Sequence, residues 1–229
     1  MRFIVFLFGI IMLAVSACQK KIPAGFVEQR ANFKSYKFYP NLKGEIKINV
    51  PVKFDTLLNW VDRSDAGGIT KIRFVNSKDC LKQESGYIHK DVCDNDFDRL
   101  TIETCTIGPA NVLKPDTGGF AYGNAQFERA ARARGNKFIW HSNSIEIINE
   151  RQFVVREYFG SHLLGFNKAG QAVKGPFERI VATTQLNQGG IAWGIALVFE
   201  CKNCDYPAFA KNAHTTLHSV VIDTVVTSR

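Results

Sequence analysis

The sequence predicts an α+β fold in which an antiparallel β-sheet meander is followed by a C-terminal helix packed on it. Four β-rich runs occupy the second half of the chain, at 144–148, 152–159, 178–185 and 191–199. Links at 149–151, 160–176 and 187–190 separate them, and strands joined in this way are usually neighbours in one sheet. After the strands, apolar residues recur at every fourth position, as on one helix face, at Phe209, Ala213, Leu217, Val221 and Val225.

The first half of the chain predicts three more strands and two helices. Alternating apolar residues predict strands over 44–50 and 69–75, and a similar run over 100–107 predicts a third. Between the first two strands, a short helix is predicted, because apolar residues follow the i, i+3, i+4, i+7 spacing at Phe54, Leu57, Leu58 and Val61. Residues 65–68 are expected to end this helix. A second helix is predicted over 124–134, closed by Gly135.

Two stretches leave alternatives open. Residues 108–123 hold two prolines and four glycines, and they are the longest irregular stretch, which predicts an internal boundary or a binding loop. The C-terminal helix is predicted over 207–225. Because residues 220–226 are rich in β-branched side chains, a final strand is the alternative for its end.

The N-terminus predicts export. Arg2 precedes an apolar run from Phe3 to Val15, which has the length of a signal-peptide core and is too short for a stable membrane span. The residues Val15-Ser16-Ala17-Cys18 resemble the lipobox of bacterial lipoproteins. That resemblance implies a lipidated Cys18, with palmitate-type acyl chains, and cleavage before it. In that family, aspartate directly after the lipidated cysteine retains the protein in the inner membrane. Gln19 occupies this position here, which implies delivery to the outer membrane.

We therefore expect three segments: a signal peptide at 1–17, a lipidated cysteine and tether at 18–43, and a single α+β domain at 44–229. Removal of the signal lowers the net charge of the chain from +8 to +7, because Arg2 is lost. A hydrophobic content of 45% is enough for a proper core. A basic protein of the envelope is expected to meet the membrane, through the lipid on Cys18, and a protein partner, but no nucleic acid.

The remaining cysteines predict disulfides, because exported cysteines are normally oxidised. Five follow Cys18, an odd number, and spacing alone does not determine their pairing. We favour Cys80 with Cys93, which lie in polar surroundings, and Cys201 with Cys204. Cys105 then stays free.

Cys201 and Cys204 have an alternative role together with His214 and His218. Two cysteines and two histidines one helical turn apart are typical zinc ligands, although the spacing is shorter than in zinc fingers. The structural disulfide is preferred, and we expect no cofactor. No serine elbow, metalloprotease helix or phosphate loop is present in the sequence, so the chain is not expected to be an enzyme.

The order of predicted elements resembles the PsbP-like fold. It is also similar to lipoprotein immunity proteins against type VI secretion phospholipase effectors. The resemblance implies a protein-binding module in the periplasm, most specifically an immunity protein that neutralises a phospholipase-type toxin. Arg129, Arg132 and Arg134 of the second predicted helix are the candidate partner-binding residues. The alternative is an envelope assembly or structural lipoprotein, or a carrier of an apolar ligand.

Overall fold

The computed structural model describes residues 21–34, 43–64, 67–78, 97–109, 117–133, 137–166, 172–188 and 191–224. Within these ranges the strands are β1 (Phe26–Lys34), β2 (Lys43–Pro51), β3 (Thr56–Ser64), β4 (Gly67–Val75), β5 (Phe97–Pro109), β6 (Phe138–Ile148), β7 (Arg151–Phe166), β8 (Ala172–Gln188), β9 (Ile191–Lys202) and β10 (Val221–Thr224). The helices are α1 (Thr117–Ala133) and α2 (Tyr206–Leu217). No helix in the described ranges has both the length and the apolar character of a membrane span.

The strands form two antiparallel sheets. The smaller sheet has the order β1-β2-β10, and the larger has the order β3-β4-β5-β9-β8-β7-β6. The meander from β6 to β9 and the α+β class are as the sequence predicts. One pairing joins strands that are distant in sequence. β9 pairs with β8 along one edge and with β5 along the other, so the strands β3 to β5 and the meander β6 to β9 form one seven-stranded sheet.

The main core lies between one face of the large sheet and a layer made by the small sheet and α2. Period-two alternation turns Ile46, Ile48 and Val50 of β2 into this core. The buried side of α2 carries Phe209, Ala213 and Leu217. Removal of these apolar surfaces from water is the dominant stabilising term for such layers, at about 25 cal/mol per Å².

Helix α1 covers part of the opposite face of the large sheet, at the β6–β7 end. Its Phe127 ring meets three aromatic rings of those strands, at centroid distances of 5.9 Å to Phe138, 5.9 Å to Trp140 and 5.1 Å to Tyr158. Aromatic clusters of this kind bury large areas in a specific geometry. The Phe127 side chain therefore anchors α1 in a pocket formed by three aromatic rings.

The short helix predicted over Phe54 to Val61 is wrong. Leu57, Leu58 and Val61 lie within β3, which pairs with β4 in a register that sets Leu57 opposite Phe74. The Leu57 side chain is 44% exposed, so it is not part of a helical core stripe. Four apolar residues in eight fit a helix or a strand, and backbone hydrogen bonds to β4 decide between them. Gly67 lies within β4 instead of ending a helix.

Several strands are longer than predicted, because they continue through residues that the sequence suggested were links. β1 occupies part of the expected tether and buries Ala31 and Phe33, so the folded domain begins before Gly44. Most of the glycine-rich link at 160–176 belongs to β7 and β8. In the stretch 108–123, β5 extends to Pro109 and α1 begins at Thr117, while residues 110–116 lie outside the described ranges.

The C-terminal helix ends earlier than predicted. α2 stops at Leu217, and Val221–Thr224 form β10, so the final strand that the β-branched residues suggested is the correct alternative. β10 pairs with the free edge of β2, which supplies hydrogen bonds that a longer helix would not use. A hydrogen bond also fixes the turn between α2 and β10, because Asn149 Nδ2 donates to the Val220 carbonyl at 2.7 Å.

Gly44 provides a test of the packing between the small sheet and its neighbours. It faces Phe33 across the β1–β2 ladder, and an added methyl group would overlap the Phe33 ring and lie 2.6 Å from the Asp223 carbonyl oxygen. We expect Gly44→Ala to lower the free energy of unfolding by about 1–3 kcal/mol, measured by urea denaturation.

Gly123→Ala is the matched control. Among the described residues, its methyl group would meet only the Arg156 guanidinium, at 3.6 Å, and alanine is the better helix former inside α1. This variant should be unchanged or more stable by about 0.5–1 kcal/mol. Equal effects of the two substitutions would contradict the packing described for Gly44.

Candidate functional site

The outer face of α1 presents a tyrosine and two arginines to solvent. Tyr122, Ala125, Arg129 and Arg132 are exposed and follow the i, i+3, i+7, i+10 spacing of one helix face. Tyr122 is 67% exposed, which is unusual for a side chain of its size. Arg129 and Arg132 are two of the three predicted partner-binding residues, and the third, Arg134, lies outside the described residues.

Contacts on the sheet side fix the orientation of this face. Glu128 accepts a hydrogen bond from Trp140 Nε1 at 2.9 Å and one from Arg132 Nε at 2.8 Å. These two hydrogen bonds, the one from Trp140 first, lower the pKa of Glu128 and keep its carboxylate charged. Arg156 of β7 donates to Asn124 Oδ1 at 2.6 Å. The outer face of α1 is thus a helix surface whose orientation is fixed by these contacts, and not a loop.

A buried layer of arginines lies on the same side of the sheet as α1. Glu200 of β9 is only 6% exposed and stands between two cross-strand arginines. Arg99 Nη2 lies 2.6 Å from Glu200 Oε2, and Arg179 Nε lies 3.0 Å from Glu200 Oε1. Arg179 also donates to the Tyr158 hydroxyl at 3.0 Å. Tyr158 is one of the three aromatic residues that Phe127 contacts, so this layer supports the packing of α1 on the sheet.

Glu200 remains ionised despite its burial. Burial alone raises the pKa of a carboxylate, but the attraction of Arg99, Arg179 and Arg73 outweighs it and sets the pKa of Glu200 at about 2. The layer is therefore a set of paired charges that hold three strands in register. In this state the carboxylate has no proton to donate near neutral pH.

A second polar cluster, the Glu157 cluster, lies on the opposite face of the sheet beside α2. It consists of Ser142, Glu157, Tyr206 and His214. Glu157 is 8% exposed and accepts hydrogen bonds from the Ser142 hydroxyl and, at 2.8 Å, from the Tyr206 hydroxyl. His214 Nε2 lies 3.1 Å from Glu157 Oε1. These contacts tie the polar edge of α2 to β6 and β7.

The cluster shifts the pKa of each of its titratable groups. The hydrogen bond from His214 is the largest influence on Glu157, and with Ser142 and Tyr206 it lowers the pKa of Glu157 to about 2 against the opposing effect of burial. The same bond raises the pKa of His214. Burial, followed by the contact with Glu157, raises the pKa of Tyr206. Ser142 contacts the carboxylate and not the imidazole, so these residues do not form a nucleophile and base pair.

Cys201 and Cys204 form a disulfide with an S–S distance of 2.00 Å. Because both sulfur atoms are used in this bond, the alternative zinc site of Cys201, Cys204, His214 and His218 is not assembled. The two histidines lie instead near Glu146 of β6, and His218 Nε2 is 3.3 Å from Glu146 Oε2. Cys18, Cys80 and Cys93 lie outside the described residues, so lipidation and the first disulfide stay predictions.

The residues that the sequence analysis missed are carboxylates inside strands. Glu157 shares a face with Phe153 and Val155 in β7, and a carboxylate in an apolar alternation is a signal for a buried polar cluster. Glu200 carried no such signal, because the pattern of β9 does not show which strands lie beside it. Only the pairing with β5 and β8 brings Arg99 and Arg179 to it.

Comparison with known proteins gives no family. No protein-family model and no curated protein matches the chain. Among solved structures, the chain is similar to the crystal structure of LpqN, involved in cell envelope biogenesis of Mycobacterium tuberculosis, with a TM-score of 0.45 and 12% identity. The similarity covers 86% of this chain and 91% of the LpqN chain. Evidence on function therefore comes from this chain's own residues.

The depressed pKa of Glu200 predicts a specific loss of stability in acid. A carboxylate with a lowered folded pKa stabilises the protein above its unfolded pKa of 4.5, and this contribution is lost as pH falls through the folded pKa of about 2. The full contribution is about 3 kcal/mol. We expect urea denaturation of Glu200→Gln to give a lower unfolding free energy at pH 7 and a flatter pH dependence between 4.5 and 2.

Glu28→Gln is the control for this experiment. Glu28 is also paired with an arginine, Arg30, at 3.2 Å, but both side chains are exposed. Exposed ion pairs contribute about 0–1 kcal/mol, so this variant should behave as the wild type. If Glu200→Gln kept the wild-type stability at pH 7, the buried arginine layer would not have the role assigned to it.

Proposed function

We propose that this chain is a lipid-anchored protein of the bacterial cell envelope, with a role in envelope assembly or structure that it performs by binding and not by catalysis. The observation that carries the proposal is the lipobox-like sequence ending at Cys18, which lies eight residues before the first strand. A cysteine in this position would hold the folded domain on the membrane through its acyl chains.

The early start of β1 shortens the expected tether. A fully extended chain advances at most about 3.5 Å per residue, so the segment from Cys18 to Phe26 spans no more than about 28 Å. The domain would therefore act beside the bilayer and not far out in the periplasm. A mature net charge of +7 would favour this position, since basic proteins are attracted to anionic headgroups.

The outer face of α1 is the surface proposed to bind the partner. Tyrosine and arginine are the residue types that most often dominate binding energy at interfaces. Tyr122, Arg129 and Arg132 stand together on a helix whose orientation Glu128 and Trp140 fix. A rigid surface loses little entropy on binding. Arg129 adds positive charge to this face, while Arg132 is paired with Glu128, and guanidinium groups favour an acidic protein partner.

The narrower hypotheses stay predictions. They are the immunity role, type VI secretion, the outer membrane as the target and the PsbP-like layout. For an apolar carrier, one relevant cavity lies between the β6–β7 turn and β10 and has a volume of about 180 Å³. That volume is below the 300–1,000 Å³ typical of ligand pockets, and Asn149, Arg151 and Asp223 are among its lining residues.

The membrane anchor can be tested by substitution at Cys18. We expect Cys18→Ser to accumulate as an unacylated precursor that keeps its signal peptide, because acylation requires the thiol. Palmitate labelling and cleavage of the signal peptide should both be lost. Cys105→Ser is the control, since it removes a thiol outside the lipobox and should leave both unchanged. Palmitate labelling or normal signal cleavage of Cys18→Ser would contradict the proposal.

The binding surface can be tested by charge reversal. We expect Arg129→Glu/Arg132→Glu to reduce recovery of a crosslinked acidic partner from detergent-solubilised envelopes at least tenfold, because like charges would then oppose each other. Lys78→Glu/Lys211→Glu changes the net charge equally at other exposed positions and should recover the partner as the wild type does. Equal recovery with both double variants would place the binding surface elsewhere.

A further inference from the structure

Two histidines and a carboxylate converge where the C-terminal end of α2 meets the end of β6. His214 and His218 are one helical turn apart, and Glu146 reaches them from the strand. One potential ligand atom from each of the three residues lies within 4.8 Å of the other two. His218 Nε2 is 3.3 Å from Glu146 Oε2, and the two imidazole centroids are 6.3 Å apart.

Two of the three side chains are already oriented by a second hydrogen bond. Ser144 donates its hydroxyl to Glu146 Oε1 at 2.9 Å, which leaves Oε2 directed at His218. Glu157 Oε1 lies 3.1 Å from His214 Nε2, which leaves Nδ1 of that ring for another partner. Outer-shell contacts of this type fix the ring tautomer and raise the basicity of histidine ligands in metal sites.

The backbone that carries these side chains is firmly held. Ala213 and Leu217 are buried on the core side of α2, next to the two histidines in sequence. The His218 side chain is 56% exposed, so the cluster opens to solvent on one side. Protein ligands would thus occupy one side of a bound ion, and the open side would accept water.

We propose that Glu146, His214 and His218 form a zinc site. Two imidazole nitrogens and one carboxylate oxygen are a ligand set that Zn²⁺ accepts, and three protein ligands plus water complete its usual tetrahedral coordination. The two histidines are those of the zinc alternative considered from the sequence. Glu146 replaces the cysteines, because Cys201 and Cys204 are bonded to each other.

A metal at this position would add a further link between two elements that are already joined by the polar contact of His218 with Glu146. The bound ion links the end of α2 to β6, so zinc is expected to stabilise the folded protein by mass action. The open coordination position would be available to a carboxylate or histidine from another molecule. The site lies on the α2 face of the large sheet, away from the outer face of α1, and does not depend on the function proposed for that surface.

The test uses the full chain, purified in detergent and stripped with a chelator, with Zn²⁺ alone as the probe. We expect calorimetric titration and elemental analysis to give one Zn²⁺ per chain. His218→Ala and Glu146→Gln should each weaken binding at least about tenfold, the lower range for perturbed metal sites. His141→Gln is the matched control, because His141 stacks on Tyr206 in the same region but is not among the three ligands. The zinc affinity of His141→Gln should stay within about twofold of wild type. This change is smaller than the loss of about tenfold or more that is expected when a partner of a metal ligand is removed.

The melting temperature and the absorption spectrum of the cobalt form give two further tests of the zinc site. His218 is exposed, so metal-free His218→Ala should melt at the wild-type temperature, and Zn²⁺ should raise the melting temperature of the wild type and of His141→Gln only. Cobalt substitution should give d–d absorption without thiolate charge transfer. The proposal is overturned if the wild type binds no zinc, if His218→Ala binds it as tightly as the wild type, or if the cobalt spectrum shows thiolate ligands.

Discussion

The pairing of β5 with β9 is the contact on which the rest of this structure depends. It joins β3, β4 and β5 to the meander β6 to β9, and without it the large sheet would be two separate pieces. Glu200 marks the join, because Arg99 faces it from β5 and Arg179 faces it from β8. Since side chains alternate between sheet faces, a shift of one residue would turn Glu200 into the apolar core. An unpaired buried carboxylate is costly, so the ion pairs disfavour every register but the observed one.

Both surfaces of interest follow from the position of β9. On one side of the sheet, Arg179 holds the Tyr158 hydroxyl, and the Tyr158 ring supports Phe127 of α1. On the other side, β9 ends at the disulfide and the chain turns directly into α2, where Tyr206 is anchored to Glu157. The outer face of α1 and the histidines of α2 are therefore carried on opposite faces of one rigid layer.

Local periodicity predicted the elements whose pattern admits one interpretation. β2 and β4 alternate clearly, and Phe209, Ala213 and Leu217 do form the buried side of a helix. Prediction failed where a distant strand decides the outcome. β3 became a strand through its pairing with β4, and β10 through the open edge of β2. No local pattern could reveal those edges.

The candidate sites were predictable to the same extent. Charge on the second helix pointed to Arg129 and Arg132, because a helix face can be derived from spacing alone. The paired histidines were recognised by their four-residue separation. Glu146 and Glu157 were not, since their place beside α2 depends on the packing of the helix on the sheet. Long-range register, and not residue type, is what the sequence analysis lacked.

The most direct test of this account is a double-mutant cycle across the β5–β9 join. The unfolding free energies of Arg99→Gln, Glu200→Gln, the double variant and the wild type would be measured by urea denaturation at pH 7. If the buried pair sets the register, the double variant should be more stable than the sum of the two single losses allows, by about 2 kcal/mol. Losses that add to within about 0.5 kcal/mol would mean that the two side chains act independently, and would contradict the central role given to this contact.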